Sequence, residues 1–419
     1  MRRRWFLALG ITAGALGALG WLLSRGRLAP AAPPPAVVGT ELFQTVFSHV
    51  RSFAVDSLGD QELYRRAAAG VIDELDDPYA ALVLSGREPP PPDDAPAPQG
   101  LFLDRRDGFV VVVATVPGSP ADLAGVKNGD LLLGVDTIPV DENRLDQAAR
   151  LLDGPAGSRA ALRLRRPGVR ALQSIDMVRG RVIRAGAVET ASLPGGVGHL
   201  GVHAFPRGIA DSVRLGVEKL RVAGCRFLVL DLRGAVGGDL AQGVAIADLF
   251  LDAGTTIARS LSRTPADSVS FRDSTASPFD SLPIAVLVDA GTAGAAEVVA
   301  GALQDHDRAA VLGTVSFGRG VTQSTYQLGG GASLRLTTAL WITPQGREIQ
   351  RPPRSADGDS VSRPRLKSDG GRTLLGGGGI VPDRTIPPGA SGDSALALAR
   401  SILIRGGTTR AVLALVTPR

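Results

Sequence analysis

Apolar residues near the start of the predicted folded body follow a helical spacing. They recur every three or four positions from Phe43 to Val50 and from Leu63 to Leu75, which is the period of one face of a helix. We therefore expect a small helical segment at residues 41–88. Proline-rich stretches at 29–40 and 89–99 indicate a linker on either side of it.

After residue 100 the pattern changes to short β-branched runs separated by turns rich in glycine and proline. One helical pattern interrupts these runs, at residues 145–152. A small β-rich domain is the expected fold of residues 100–180.

Strand and helix patterns alternate in the second half of the chain. Residues 227–232 form a continuous apolar run, which is typical of a strand buried on both faces, and they follow an amphipathic helix pattern at 211–223. Similar pairs continue to residue 312, so we predict an α/β core. Two polar stretches, 255–282 and 352–376, are expected to be surface excursions.

An uncharged run from Trp5 to Leu23 lies between three arginines and two further ones. A helix of this length nearly crosses a hydrocarbon core of about 30 Å, and the run is longer than the apolar region of a cleaved signal peptide. We predict that residues 1–28 form a signal anchor or transmembrane segment with an extracytoplasmic body. A secreted protein, formed after signal cleavage, is the alternative.

The amino-acid composition excludes several kinds of functional site. The net charge is +5 and aromatic residues make up 4% of the chain, which argues against nucleic-acid binding. The single cysteine, Cys225, excludes an internal disulfide and a zinc-thiolate cluster. Only Lys127, Lys219 and Lys367 are lysines. Because arginine stays protonated in proteins, a mechanism that needs a neutral lysine has three candidates.

The segment DGFVVVVATVPGSPADLAGVKNGDLLLGVDTIPV resembles a bacterial PDZ domain. The resemblance implies a peptide-binding groove between a strand and a helix, lined here by Gly100, Leu101, Phe102, Leu103, Leu145, Ala149 and Leu152. A bound peptide would add to the strand edge and place its terminal carboxylate among amides of residues 100–102. The family usually has a glycine where Phe102 stands. A PDZ fold that serves only as a lid or spacer is the alternative.

Three further stretches, LDLRGAVGG, GTAGAAEVVAGALQD and SFGRGVTQ, resemble the core of the carboxy-terminal processing (tail-specific) serine peptidases, and LTTALWITPQGREIQ and GGGGIVPD fit the same family. Together with the N-terminal run, the resemblance predicts a multidomain α/β protein: an N-terminal membrane helix, a small helical segment, a PDZ-like domain, a crotonase-like peptidase core at 181–388 and a C-terminal segment at 389–419. The N-terminal run predicts a location at the bacterial inner membrane with the body in the periplasm, and we expect no metal or cofactor.

These peptidases use a serine nucleophile and a lysine general base. In this chain the serine position is Gly294 and the lysine position is Arg319, at the spacing of the family. Glycine has no side chain to attack a carbonyl, and arginine does not accept a proton near neutral pH. Other parts of the apparatus persist: Gly237 and Ala295 match the amides of the oxyanion hole, and Gln323 matches a glutamine that follows the lysine.

Three functional hypotheses follow. The first is an inactive pseudopeptidase that binds polypeptide C-termini or unfolded segments, alone or with an active peptidase relative. The second is an active serine-type endopeptidase with another nucleophile. The nearby candidates are the hydroxyl groups of Thr292, Ser316 and Ser324, with His203 or His306 as the base. The third is a hydrophobic small-molecule binder. In the first hypothesis Arg319 either fills the vacant nucleophile volume or holds a carboxylate, such as the C-terminus of a bound peptide.

Overall fold

The computed structural model describes residues 35–75, 77, 79–84, 98–106, 108–116, 118–140, 145–180, 186–273, 275–352, 363–386 and 392–416. The membrane segment predicted at residues 1–28 lies outside these residues, as does nearly all of the linker predicted at 89–99. Among the described helices, none is both long and apolar enough to cross a membrane.

The described chain contains helices and strands in the following order. The helices are α1 (Pro35–Phe53), α2 (Asp60–Asp73), α3 (Pro120–Leu123), α4 (Leu145–Leu152), α5 (Ile209–Val222), α6 (Leu240–Asp248), α7 (Ala295–Asp305), α8 (Gly392–Gly406) and α9 (Thr409–Val416). The strands are β1 (Ala81–Val83), β2 (Leu101–Arg106), β3 (Phe109–Thr115), β4 (Leu131–Val135), β5 (Ile138–Pro139), β6 (Arg159–Arg165), β7 (Gln173–Val178), β8 (Val188–Leu193), β9 (Val197–Val202), β10 (Phe227–Asp231), β11 (Thr256–Ser262), β12 (Val269–Arg272), β13 (Ile284–Val288), β14 (Ala309–Gly313), β15 (Val321–Gln327), β16 (Ser333–Ile342), β17 (Arg365–Lys367), β18 (Thr373–Leu375) and β19 (Arg384–Thr385).

The chain divides into two compact units, the first ending at Asp76. Helices α1 and α2 belong to the first unit, so the helical segment expected there is two helices. The strand β1 occupies residues for which we predicted helix, and it belongs to the second unit, where it pairs with β16. Short strands of this kind carry no periodic signal that distinguishes them from a helix end.

A six-stranded sheet in the order β19-β14-β13-β10-β9-β8 forms the centre of the second unit. Its strands are parallel except β8, which runs antiparallel to β9. Helices α5, α6 and α7 cover one face, and α8 and α9 cover the other. Along β10, Leu228 and Leu230 point to the first face and Val229 to the second. The predicted α/β core is confirmed, and its doubly covered strands explain the continuous apolar runs.

A second, antiparallel sheet lies beside it, with β1, β16, β11 and β12 in order and β15 paired to β16. Strand β11 lies within the stretch 255–282 that we expected to be a surface excursion, and this expectation was wrong. Ile257 and Ala258 of β11 are buried in the main core. The stretch looked polar because the flanking turns are rich in Ser, Asp and Thr. Part of the second polar stretch also forms structure, the hairpin β17–β18.

The β-rich domain is a six-stranded sheet, with five strands in the order β2-β3-β4-β6-β7 and β5 paired to β4. Helix α4 packs in the apolar cluster of this domain, which is separate from the main core and includes Leu101, Ala148, Leu152 and Leu162. Strand β2 is an edge strand that faces α4, so a groove between one strand and one helix is present. This arrangement is the one that the PDZ resemblance implies.

Candidate active site

Gly294 lies immediately before helix α7, at the carboxyl end of strand β13. Its backbone angles, φ 67° and ψ −120°, are in a region that favours glycine. A Cβ added there would lie 3.5 Å from the Gly237 carbonyl oxygen, which is an ordinary contact. There is therefore room for a Cβ, although the backbone conformation would cost a residue other than glycine about 1–3 kcal/mol of strain.

The two residues whose amides are candidates for the oxyanion hole, Gly237 and Ala295, lie next to Gly294. Ala295 is the first residue of α7, so its N–H is one of those that a helix leaves without an intrahelical acceptor. Gly237, at φ 76°, is the residue that contacts the added Cβ. The helix N-terminus favours negative charge at this point. Both residues therefore lie beside position 294, and residue 294 itself carries no side-chain atom that could react.

Glu297 forms hydrogen bonds with the backbone at both Gly294 and Arg319. Its Oε2 accepts hydrogen bonds from the N–H of Gly294 at 3.1 Å and of Arg319 at 2.8 Å, and its Oε1 accepts from Gly318 N–H at 2.7 Å. Burial raises the pKa of Glu297, and the hydrogen bonds that it accepts oppose that shift. One buried carboxylate therefore fixes the backbone at both positions. The sequence motifs do not predict this role.

The hydroxyl groups proposed as substitute nucleophiles already have hydrogen-bond partners. Ser316 is fully buried, donates to Glu297 Oε1 at 2.5 Å and accepts from Ile380 N–H at 2.6 Å. Thr292, also fully buried, donates to the Leu232 carbonyl at 2.8 Å. Ser324 pairs with the Thr338 hydroxyl across β15 and β16. These contacts hold each hydroxyl in a structural role.

Among the described residues, the histidine and the lysines that could serve as a general base likewise form no dyad with a serine. His203 lies 3.3 Å from Glu189, and Lys367 donates to Thr373 within the β17–β18 hairpin. Lys127 and Lys219 are exposed. In the described part of the chain, one hydrogen bond joins a serine or threonine hydroxyl to a histidine or lysine side chain, and it is the exposed contact between Lys367 and Thr373.

Arg319 forms a buried ion pair with Asp104 of strand β2. Its Nη2 and Nε donate to Asp104 Oδ2 at 2.6 Å and 3.1 Å, and the two side chains are 9% and 1% exposed. We expected Arg319 to hold a carboxylate or fill the vacant volume. The carboxylate that it holds belongs to the β-rich domain and not to a peptide terminus.

Tyr79 and Gln323 complete the surroundings of this ion pair. The Tyr79 hydroxyl lies 3.5 Å from Asp104 Oδ2, and the Arg319 guanidinium lies 5.6 Å from the Tyr79 ring centre. Burial, together with the Asp104 charge, raises the pKa of the Tyr79 hydroxyl. Gln323, one of the predicted site residues, donates to the Tyr79 carbonyl at 3.0 Å. Both residues therefore support the Arg319–Asp104 pair.

Strand β2 presents a second side chain to the same region. Phe102 is buried in a cluster with Val236, Ala293 and Phe317, which we call the docking cluster. Val236 and Ala293 are the neighbours of Gly237 and Gly294 in the chain, and Phe317 precedes Arg319 by two residues. Phe102 and Asp104 alternate with Leu101 and Leu103, which face the apolar cluster of the β-rich domain. The strand is therefore buried on both faces.

The residues predicted to line the peptide groove lie around β2 and α4. Leu101 and Leu152 are fully buried, and Leu103, Leu145 and Ala149 are half-buried. Gly100 adopts φ +82°, and a Cβ there would lie only 2.3 Å from the Cβ of Ser119, so this position requires glycine. The side chain of Phe102 points to the docking cluster instead of the groove, and its backbone remains on the edge strand.

A polar cluster lies at the carboxyl ends of the central strands. Asp231 accepts from the Arg233 guanidinium at 2.8 Å and 2.5 Å and lies 3.1 Å from His199 Nε2. Burial would raise the pKa of Asp231, but these hydrogen bonds outweigh burial and lower it to about 2. Nearby, Asp289 accepts from Gly234 N–H at 2.9 Å. These carboxylates stabilise the loops that carry Gly237 and Gly294.

Comparison with known proteins gives consistent matches. Residues 196–357 match the sequence profile of peptidase family S41, and residues 111–166 match that of the PDZ domain. The carboxy-terminal-processing protease of Bartonella bacilliformis is 32% identical over 315 residues, which are 74% of this chain and 72% of that protein. The carboxy-terminal processing protease CtpA of Bacillus subtilis is 27% identical over 73% of this chain and 65% of its own length.

Among solved structures, the photosystem II D1 C-terminal processing protease has a similar fold. It superposes with a TM-score of 0.66 at 24% identity, and the match covers 86% of this chain and 91% of that one. At this level of identity the likeness concerns the fold alone.

Proposed function

The chain belongs to the carboxy-terminal processing peptidases of family S41, and from this premise we propose that it is a pseudopeptidase that binds polypeptide C-termini or unfolded segments without cleaving them. The observation that carries the proposal is the pair of residues at the catalytic positions. Gly294 supplies no nucleophile, and the guanidinium of Arg319 is held in a buried ion pair with Asp104.

The loss of the nucleophile alone has a large effect. Removing a catalytic serine typically lowers turnover about a million-fold, and only binding and the oxyanion hole then contribute. The hydroxyl groups of Thr292 and Ser316 are both fully buried and hydrogen-bonded elsewhere, which speaks against a substitute. We therefore favour binding over the active-peptidase alternative.

The groove between β2 and α4 supports peptides as the ligand. An extended peptide can add to the free edge of β2, with apolar side chains against the half-buried Leu103, Leu145 and Ala149. The relatives are named for processing carboxyl termini. A free C-terminal carboxylate near the amides of residues 100–102 is the expected recognition element.

Two further parts of the proposal concern location and partners. The uncharged run from Trp5 to Leu23 supports a single-pass anchor in the bacterial inner membrane, with the body in the periplasm. An inactive peptide-binding body on a membrane is suited to deliver chains to an active peptidase relative. Loss of membrane association on deletion of residues 1–28 tests the first part.

Peptide binding is tested with the full chain and a labelled peptide that ends in an apolar residue. We expect the free-carboxylate peptide to bind at least about tenfold more tightly than its C-terminal amide, since a hydrogen bond to a charged group contributes about 1.5–3 kcal/mol. The peptide should be recovered intact. Equal affinity for both peptides, or no binding of either, would contradict the proposal.

Restoring the catalytic residues tests the reason for inactivity. Gly294→Ser with Arg319→Lys places the lysine beside Asp104, which would keep it protonated. We therefore expect cleavage of an unfolded protein by the triple variant Gly294→Ser/Arg319→Lys/Asp104→Asn to exceed that by the double variant. The matched control carries Gly294→Ala in place of Gly294→Ser and should be inactive. Cleavage by that control would assign the activity to a different nucleophile.

A further inference from the structure

The hairpin of β6 and β7 is strongly basic along β6 and its turn. From Arg159 to Gln173 it has five arginines and no acidic residue. Arg159, Arg163 and Arg165 occupy alternate exposed positions of β6, whereas Leu162 and Leu164 between them are fully buried. In the described part of the chain, Arg163, Arg165 and Arg170 form no ion pair. Their charges are available to a partner.

The tip of this hairpin is a rigid turn. The Val169 N–H donates to the Arg166 carbonyl at 3.0 Å, and Pro167 and Gly168, the latter at φ 81°, are suited to the two central positions of a type II turn. Arg166 fixes the base of the turn by donating to both carboxylate oxygens of the buried Asp130 at 2.8 Å. These contacts fix the backbone of the turn before any partner binds.

Two apolar side chains are exposed at the same tip. Val169 is 42% exposed and Leu172 is 61% exposed. Arg170 lies between them in the chain, and Arg165 lies four positions before Val169. Apolar side chains among arginines are typical of segments that enter the headgroup region of an anionic membrane. An acidic protein partner would use the charges but would not require the exposed apolar pair.

We propose that the β6–β7 hairpin docks on a surface of anionic phospholipid. Val169 and Leu172 enter the boundary between headgroups and acyl chains, and Arg165 and Arg170 contact lipid phosphates. The nearest acidic residue along β7, Asp176, pairs with Ala161 well below the tip, and Asp130 is neutralised by Arg166. The contact would fix the orientation of the body on a membrane.

The test uses the full chain with Cys225→Ser and an environment-sensitive fluorophore at Ala171→Cys. Vesicles are either pure phosphatidylcholine or phosphatidylcholine with 30% phosphatidylglycerol. We expect a blue shift with the anionic vesicles only, and its loss in 1 M salt, where the Debye length falls to about 3 Å. A fluorophore at Val222→Cys, which is exposed on α5 of the peptidase core, should show no shift.

Charge removal then assigns the effect to the hairpin. Arg165→Gln/Arg170→Gln should lower the ratio of docked to undocked label about fivefold for each arginine, since each contributes about 1 kcal/mol near an anionic surface. The matched control, Arg207→Gln/Arg221→Gln, removes the same charge from exposed positions of the core and should have no effect. An equal shift with pure phosphatidylcholine, or equal losses in both double variants, would overturn the proposal. A shift with polyglutamate but not with vesicles would assign the hairpin to an acidic protein partner instead.

Discussion

The ion pair between Arg319 and Asp104 leads to a prediction about stability. In Arg319→Met, the Asp104 carboxylate loses the two guanidinium N–H groups that contact its Oδ2 at 2.6 Å and 3.1 Å. The Tyr79 hydroxyl, at 3.5 Å, remains a weak donor to that oxygen. Asp104 is 1% exposed, so water does not replace the lost partner in the folded state.

The expected magnitude follows from this burial. Removing one partner of a buried ion pair costs about 3–5 kcal/mol, because a charge is left without compensation. We therefore expect the free energy of unfolding of Arg319→Met to fall by about that amount. Asp104→Leu/Arg319→Met should recover at least about 2 kcal/mol relative to the sum of the single variants, since it leaves no unpaired charge.

Urea unfolding of the four proteins in this double-mutant cycle gives the coupling energy. Arg207→Met, at an exposed position, is the matched control and should change the free energy of unfolding by less than about 0.5 kcal/mol. A loss of stability in Arg319→Met no larger than that of the control would show that the ion pair does not stabilise the fold. Strict additivity of the two single substitutions would show that the two side chains are not coupled.

Three other predictions concern the site, its supporting cluster and the groove. Glu297→Gln should lower the free energy of unfolding by about 2 kcal/mol, because its amide N–H₂ would face a backbone N–H; urea unfolding at neutral pH measures this. Asp231, with its pKa lowered to about 2, adds stability that is complete above pH 4 and is lost as the pH falls towards 2. When the pH is lowered from 5 to 2, the free energy of unfolding of Asp231→Asn should therefore fall by about 2 kcal/mol less than that of wild type, as measured by urea titrations. Equal losses in the two proteins would contradict this assignment. Ala149→Glu in the groove should weaken peptide binding at least about tenfold in fluorescence anisotropy, whereas Val178→Glu on the opposite edge strand should not.

The sequence predicted those parts of the site that are local in the chain. The motif around Gly294 predicts a helix N-terminus, and the structure has α7 beginning at Ala295. The continuous apolar run of β10 likewise predicts a central strand, because burial on both faces is visible in composition alone.

Contacts between distant residues could not be predicted in this way. Arg319 and Asp104 are 215 positions apart, and periodicity has no information at that range. The unusual Phe102 was a partial signal, since a large apolar residue stands where glycine is usual. Phe102 and Asp104 lie on the same face of β2, and that face is covered by the peptidase core. Only the structure shows that the residues covering Phe102 are those of the docking cluster.

The most direct test of the central claim is the turnover of an unfolded protein by the wild-type chain, followed by intact-mass spectrometry. We expect the substrate mass to stay unchanged while the protein binds it, because Gly294 provides no nucleophile. Cleavage by the wild-type chain that persists after repurification and is blocked by a serine-directed phosphonate would show that the chain is an active serine peptidase.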